Sequence, residues 1–432
     1  MLRRRTFLLV RNLHLLQFSK KTLARLNSNK TSIMTSANVE DIAVTRFREY
    51  LRINTSHPNP DYAQASSFYS KYAGELDLTY TQVKLPQNRT ADLITWEGLE
   101  PSLPSIMLYS HTDVVPTFPE HWKYDPFSAH KEDNGDIYAR GSQDMKCVGI
   151  QYLEAIRKLK TGGQRFKRTF HVTFCPDEEI GGQTGMIEFV KTKEFEKMNV
   201  GFALDEGLAN PGDELRVFYG ERNVWWLEVT CPGSPGHGSS FLTNTAAEKV
   251  QKIINTLLSF RAEQEKKLQE DSSLALGDVV SVNLTMLKGG VQYNVVPDHM
   301  IAGFDIRVPP TADLIEFDNR VTRWCQEAGS GVTIKYHHKT MDYKITVLNQ
   351  SNPWWVAFEG ACSKAGVKLK KEIFPAGTDG RSLRKKDIPV LGFSPMNHTE
   401  VLLHDHNEHL NEGTFLRGVD LYTHILAAVA NV

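Results

Sequence analysis

The sequence predicts an α/β protein whose open sheet is interrupted by a second, ferredoxin-like unit. Two observations carry that expectation. First, short apolar runs at 105–109, 170–174 and 201–204 each stop at a group of polar or acidic residues, and a helix-spaced stretch from 144 to 159 separates the first two. Strands alternating with helices, with polar residues where the strands end, form the pattern of an open α/β sheet whose ligands bind beyond the carboxyl ends of the strands. Second, between about residues 221 and 340 the order changes to strand, helix, strand, strand, helix, strand, which is the βαββαβ succession of a ferredoxin-like unit.

Taken in order, residues 1–38 differ from the rest. They carry Arg3, Arg4, Arg5, Arg11, Lys20, Lys21, Arg25 and Lys30, and no acid precedes Glu40. That is the composition of a mitochondrial transit peptide, whereas the apolar stretch of a secretory signal would be longer than 7–10 and not broken by Arg11. Translation from Met34 would instead leave a cytosolic chain. Two locations are therefore expected: the cytoplasm, or the mitochondrial matrix if residues 1–33 are translated and act as a leader. After Glu40, Ile42, Phe47, Tyr50 and Leu51 recur at helical spacing. Run 105–109 reads as a buried strand leading into Ser110, His111, Thr112 and Asp113. From Asp144 onward, Met145, Val148, Tyr152, Ala155, Ile156 and Leu159 mark an amphipathic helix whose first turn holds Asp144. Phe170, Val172 and Phe174 alternate as a strand that stops at Pro176, Asp177, Glu178 and Glu179, and 201–204 reads as another, ending at Asp205 and Glu206. The ferredoxin-like succession follows, with strands at 224–230, 279–287, 300–308 and 332–337 and helices at 246–260 and 313–328. The α/β pattern resumes with an apolar stretch at 388–393 and a final helix at 415–430. The chain thus divides into a leader, 1–38, a main domain built from 39–220 and 341–432, and an inserted domain, 221–340.

Composition narrows the function. With 41% hydrophobic and 23% charged residues, a chain of 432 residues can bury two ordinary cores. Lys plus Arg, 50, nearly equals Asp plus Glu, 51, and no basic stripe interleaved with aromatics follows residue 40, which argues against a nucleic-acid partner. No apolar run is long enough to cross a bilayer. The five cysteines, Cys147, Cys175, Cys231, Cys325 and Cys362, lack any CxxC pair, so neither a disulfide framework nor a thiolate zinc site is indicated. A small-molecule substrate fits best.

The residues at the strand ends carry the chemistry. His111 and Asp113 project to the same side of an extended segment, as a metal ligand and its orienting carboxylate do, although Asp113 is equally placed to be a mere neighbour. Asp144 at a helix start is, on that feature alone, more readily a cap than a ligand. Asp177, Glu178 and Glu179 are harder to explain as surface, because three adjacent acids at a strand end repel one another unless solvated or neutralised by cations. Glu206 repeats the theme, and His404 stands in the run Leu402, Leu403, His404, Asp405, His406, Asn407, Glu408. Imidazole and carboxylate are the ligands zinc accepts in hydrolytic sites, and five of them suffice for two ions if one carboxylate bridges.

In combination, Ser-His-Thr-Asp-Val-Val-Pro (110–116), Arg-Gly-Ser-Gln-Asp-Met-Lys (140–146), Pro-Asp-Glu-Glu-Ile-Gly-Gly (176–182), Ala-Leu-Asp-Glu-Gly (203–207), Pro-Gly-His-Gly (235–238), Gly-Thr-Asp (377–379) and Leu-His-Asp-His (403–406) resemble the M20 metallopeptidase family, in the family's order. The resemblance implies a zinc-peptidase-like catalytic domain with the ferredoxin-like insert as a lid and dimerisation domain, hence a homodimer. It implies two Zn2+ per subunit bridged by Asp144, with His111 and Glu206 completing one site and Glu179 and His404 the other. Glu206 matches the family's last acid before glycine, but Asp205 stands beside it. Glu178 would be the general base, Asp113 would orient His111, and His237 would stabilise charge on the carbonyl oxygen. Taken locally, His237 is a turn histidine between glycines. Asn294, Arg307 and Thr378 would bind the substrate carboxylate, Arg307 through its planar fork unless that fork merely pairs with Asp305. The implied reaction is hydrolysis of N-acyl-L-amino acids, N-acetyl derivatives with aliphatic side chains above all. A dipeptidase, an acetylornithine-type deacetylase and a metal-free binding protein are the alternatives.

Overall fold

A computed structural model describes residues 40–432; the expected leader lies outside the described residues. Residues 42–432 form one compact unit. Its main strands are β1 (Thr79–Lys84), β2 (Thr90–Trp96), β3 (Ser105–His111), β4 (Phe170–Cys175), β5 (Val200–Asp205), β6 (Leu215–Glu221), β7 (Asn223–Pro232), β8 (Ser281–Gly289), β9 (His299–Val308), β10 (Thr333–Lys339), β11 (Leu369–Phe374) and β12 (Val390–Phe393). Its main helices are α1 (Ile42–Leu51), α2 (Tyr62–Leu76), α3 (Lys146–Thr161), α4 (Ala246–Glu270), α5 (Leu314–Glu327), α6 (Pro353–Lys364) and α7 (Glu412–Val429).

The first sheet has eight strands in the order β1-β2-β4-β3-β5-β12-β6-β11. At its centre β4, β3, β5 and β12 run parallel, while β1, β2 and β6 join antiparallel neighbours. Parallel strands covered by helices on both faces bury nearly every side chain. Accordingly all seven residues of β3 are buried, and Thr173 and Cys175 of β4 are buried as well as the alternating Val172 and Phe174. Helix α3 presses on this centre, since a side chain on Gly149 would meet Phe174 at 2.8 Å and Ser110 at 2.9 Å. Helices α1, α3 and α7 share the same apolar cluster, with Phe47 stacked on Phe415 at 4.5 Å.

The second sheet, β8-β9-β7-β10, is antiparallel throughout and has its own core, in which Trp225, Leu227, Val229, Val282, Phe304 and Ile306 meet α4 and α5. This strand order and the intervening helices are those of a ferredoxin-like unit, as the sequence predicts. Two boundaries differ from expectation. Helix α4 continues to Glu270 rather than stopping near Phe260: its apolar stripe ends there, but the charged continuation is made of good helix formers with Arg261–Glu265 and Lys266–Glu270 pairs at 3.2 and 3.6 Å. Asp144 is not in the first turn of α3, which begins at Lys146 after Met145 and takes no side-chain cap, so the Asp144 carboxylate is free for other partners. No helix among the described residues is long and apolar enough to cross a membrane.

Candidate metal centre and its cleft

Three parallel neighbours, β4, β3 and β5, end side by side, with His111 in register with Cys175 and Leu108 with Leu204. The chain beyond each end supplies the acids: Glu178 and Glu179 from a single 3-10 turn after β4, and Glu206 directly after β5. Asp144 enters from the loop ahead of α3 and His404 from the loop ahead of α7.

Asp144 stands between the two histidines. Its Oδ1 lies 3.0 Å from His111 Nε2 and its Oδ2 3.2 Å from His404 Nε2. Glu206 Oε2 is 3.8 Å from His111 Nε2, and Glu179 Oε2 is 3.1 Å from His404 Nε2. His111, Asp144 and Glu179 offer ligand atoms close enough together to share one ion, as do His111, Glu178 and Glu206. His111 is fully buried, Asp144, Glu178 and Glu206 nearly so, and His404 is half-exposed at the mouth. Burial and neighbouring carboxylates push Glu178, Glu179 and Glu206 above the usual carboxylate range. Burial acts against the charge on Asp144 too, but hydrogen bonds from His111 and His404 hold it well below that range. Four carboxylates and two imidazoles converge here, and Glu179 Oε1 is buried with no hydrogen-bond partner among the described residues. That donor set fits divalent cations bound through nitrogen and oxygen.

The supporting contacts decide the questions that the sequence leaves open. His111 Nδ1 meets the backbone carbonyl of Asp113 at 2.8 Å, whereas the nearest carboxylate oxygen of Asp113 is 4.0 Å away. The main chain of Asp113, not its side chain, therefore fixes the imidazole. Its carboxylate accepts from the amides of Glu178 and Glu179, each at 3.0 Å. Asp205 accepts from Thr378 Oγ1 at 2.8 Å and from the Gly380 amide at 2.9 Å, which leaves Glu206 as the acid facing His111.

Two residues not singled out from the sequence tie the centre together. Buried Glu408 accepts from the amides of Gln143 (2.6 Å) and Asp144 (3.2 Å) and from Arg140 Nη1 (2.7 Å), while Arg140 Nη2 reaches the His404 carbonyl at 3.3 Å. The loops carrying Asp144 and His404 are thus bound to each other. Arg140 opens one motif and Glu408 closes the run around another, so their place in those runs was the available signal.

The centre lines a cleft of about 600 Å3 that also includes Trp226, Arg307 and His338 from the second sheet and Arg381 from the short helix Gly380–Arg384. Arg307 faces the cleft but gives Nε and Nη2 to Asp305 at 2.7 and 2.9 Å. Arg381 makes no side-chain hydrogen bond among the described residues; it follows Gly-Thr-Asp-Gly directly, two residues beyond the last residue of the motif that the sequence offered. Thr378, expected to bind substrate, is buried. Its hydroxyl meets Asp205 and Glu221 and its amide donates to Glu221 at 2.7 Å, so buried carboxylates occupy its donors and none remains for a substrate. His237 and Asn294 come together elsewhere: Gly236 and His237 pair with Val296 and Val295, and the Gly238 amide donates to the Asn294 carbonyl at 2.8 Å. Both are exposed and neither lines the cleft of its own chain.

The profile of Peptidase family M20/M25/M40 matches residues 107–428. Among curated proteins, Aminoacylase-1 of Mus musculus is 55% identical over 393 residues, covering 91% of this chain and 96% of that protein. Aminoacylase-1 of Dictyostelium discoideum is 45% identical over 405 residues, covering 91% and 98%. Among solved structures, an M20 family metallo-carboxypeptidase from Sulfolobus solfataricus superposes with a TM-score of 0.68 at 17% identity, covering 90% of this chain and all of that one. A dinuclear metal-binding peptidase of the M20 family from Bacillus subtilis does so at 0.65 and 15%, covering 90% and 98%.

Proposed function

This chain belongs to Peptidase family M20/M25/M40, and from that premise we propose that it is an aminoacylase, an amidohydrolase that cleaves N-acyl-L-amino acids into a free amino acid and a carboxylate. The observation that carries the reading is the meeting, in one cleft, of the histidine–carboxylate cluster with Arg307 and Arg381, which suits an amide whose neighbour is a carboxylate. N-acetyl derivatives of aliphatic amino acids are the expected substrates. Dipeptides lack the acyl cap and are the comparison to make.

Two Zn2+ ions per subunit fit the donors. Asp144 would be shared between them, with His111 and Glu206 as the further ligands of one ion and Glu179 and His404 those of the other. When bound, zinc supplies a Lewis acid toward the amide carbonyl and eases the ionisation of water. Glu178, which is not needed as a ligand, takes the proton of the attacking water and returns it to the leaving amine. The raised affinity for protons that burial and Glu206 give this carboxyl suits both halves of that transfer. Arg307 and Arg381 hold the substrate carboxylate, which fixes the scissile amide against Glu178.

His237 completes the site from a second subunit. This reading is supported by its exposure beside Asn294 and by the exposed apolar Phe241, Val291 and Tyr293 in the same loops, surface that a homodimer through the ferredoxin-like unit would cover. The five buried free cysteines suit a reducing compartment, and the cytoplasm is the proposed location, with the matrix the outcome if a chain begun at Met1 fractionates with mitochondria and one begun at Met34 does not.

The test is a panel of N-acetyl-L-amino acids and unmodified dipeptides with zinc content measured alongside. Glu178→Gln is expected to fold and keep its zinc while losing roughly 10²- to 10⁴-fold or more in turnover, because the isostere removes proton transfer without removing a ligand. Glu179→Ala should lower zinc content instead. Near-normal turnover of metal-loaded Glu178→Gln, or a preference for dipeptides, would refute the assignment.

A further inference from the structure

We propose that His57 is a positioning residue for Glu178, acting through the Asp113 carboxylate; this rests on Glu178 being the base. Asp113 is fully buried, and its two oxygens accept three hydrogen bonds: from the amides of Glu178 and Glu179 at 3.0 Å each and from His57 Nε2 at 2.9 Å. The carboxylate is the post to which the main chain of base and ligand is tied, and His57 is the only side chain among its hydrogen-bond donors in the described residues. Its own place is fixed by the backbone. The His57 amide donates to the Val114 carbonyl at 3.2 Å, the Val114 amide to the Thr55 carbonyl at 3.1 Å, and Ser56 bridges to Val114, so the imidazole is delivered beside the residue after Asp113.

The other end of the same turn is held from the same stretch of sequence. Asp177, in the left-handed region at φ 62°, accepts from Tyr62 Oη and from Arg89 Nε, each at 2.7 Å, and from Thr184, while its own amide donates to Tyr62 Oη at 3.0 Å. Residues 57–89 therefore grip the turn on both sides of Glu178, though none of them lines the cleft. A side chain that sets the base within a fraction of an ångström should govern turnover rather than binding, since a displacement of about 1 Å can cost on the order of 100-fold.

The experiment uses the full-length, zinc-loaded enzyme with N-acetyl-L-methionine, comparing His57→Leu, His57→Gln and Glu178→Gln for kcat, KM, zinc content and melting temperature. His57→Leu is expected to lose about 10- to 100-fold in kcat with KM within about twofold and zinc retained. His57→Gln, whose amide can still donate to Asp113, should recover to within about fivefold of wild type. If His57→Leu does not fold, His57→Asn takes its place, because its shorter amide falls short of the carboxylate. The proposal is overturned if the folded, zinc-loaded non-donor variant keeps its kcat, if the loss falls on KM or zinc, or if Gln is as impaired as Leu. Turnover by Glu178→Gln would instead sink the reading of the base, an outcome the His57 variants cannot mimic.

Discussion

At the scale of single residues, the same side chain often answers to two demands. Arg307 lines the cleft while its fork rests on Asp305, the pairing that the sequence weighed against a binding role. Both hold together, because Nη1 remains for a ligand. Arg307→Ala is therefore expected to shrink the preference for N-acetylmethionine over its carboxamide, read as the ratio of their kcat/KM values; an unchanged ratio would make the arginine purely structural. A second prediction concerns His171, whose Nδ1 sits 2.9 Å from Thr95 Oγ1 and whose pKa burial lowers from 6.5 to about 4. The unfolded chain then takes up this proton before the folded one. The stabilisation is whole above about pH 6.5, is lost as pH falls toward 4, and amounts to at most about 3 kcal/mol. His171→Gln should accordingly flatten the fall in melting temperature between pH 7 and 5; parallel curves for variant and wild type would reject the assignment. Residue types at the strand ends were legible because acids and histidines rarely gather there without cause. Which oxygen of Asp113 meets His111, and that Thr378 spends its hydroxyl on Asp205 and Glu221, were not, since spacing says nothing about where a side chain's hydrogen bonds go.

Elements were readable where one face is buried. The insert's strands and helices alternate between a core and solvent, so period and order sufficed to name a ferredoxin-like unit. Parallel β3 and β4 are buried on both faces; β3 was found from its short apolar run and polar end, and β4 from the alternation of Phe170, Val172 and Phe174 and the acids that follow it. Helix α2, β1, β2, β6, α6 and β11 passed unnoticed, α2 because Ala, Ser and Tyr make up much of its buried face and give little contrast. The loops that join elements at the centre depend on Glu408. Removing its carboxylate strands the buried Arg140 charge and releases the amides of Gln143 and Asp144. Glu408→Ala should cost about 3–5 kcal/mol by thermal unfolding, and zinc content should fall with it, although the residue is no ligand. A variant of normal stability and full zinc content would show that the two loops hold themselves.

At the scale of the whole molecule, the proposal that His237 serves the cleft of a second subunit makes a quantitative prediction. Glu178→Ala and His237→Ala homodimers should each be nearly inactive. Refolded together in equal amounts, about half the dimers are mixed, and each has one site with both groups intact, so activity should return to roughly a quarter of wild type. No recovery from demonstrated mixed dimers would place His237 within its own chain or outside catalysis. The Arg140–Glu408 tie also sets a timetable for the newborn protein. Between Arg140 and His404 the ribosome adds 264 residues, which at about 5–20 residues per second takes on the order of 13–50 s. Through the later part of that interval, once Glu206 has been added, Asp144, Glu179 and Glu206 have been made but neither His404 nor Glu408 has, so a nascent or prematurely terminated chain of that length lacks one of the proposed ligands and the carboxylate that ties the two loops. Only after residue 408 has been added can the two loops be tied together, so the proposed centre is among the last parts of the fold that synthesis permits to close.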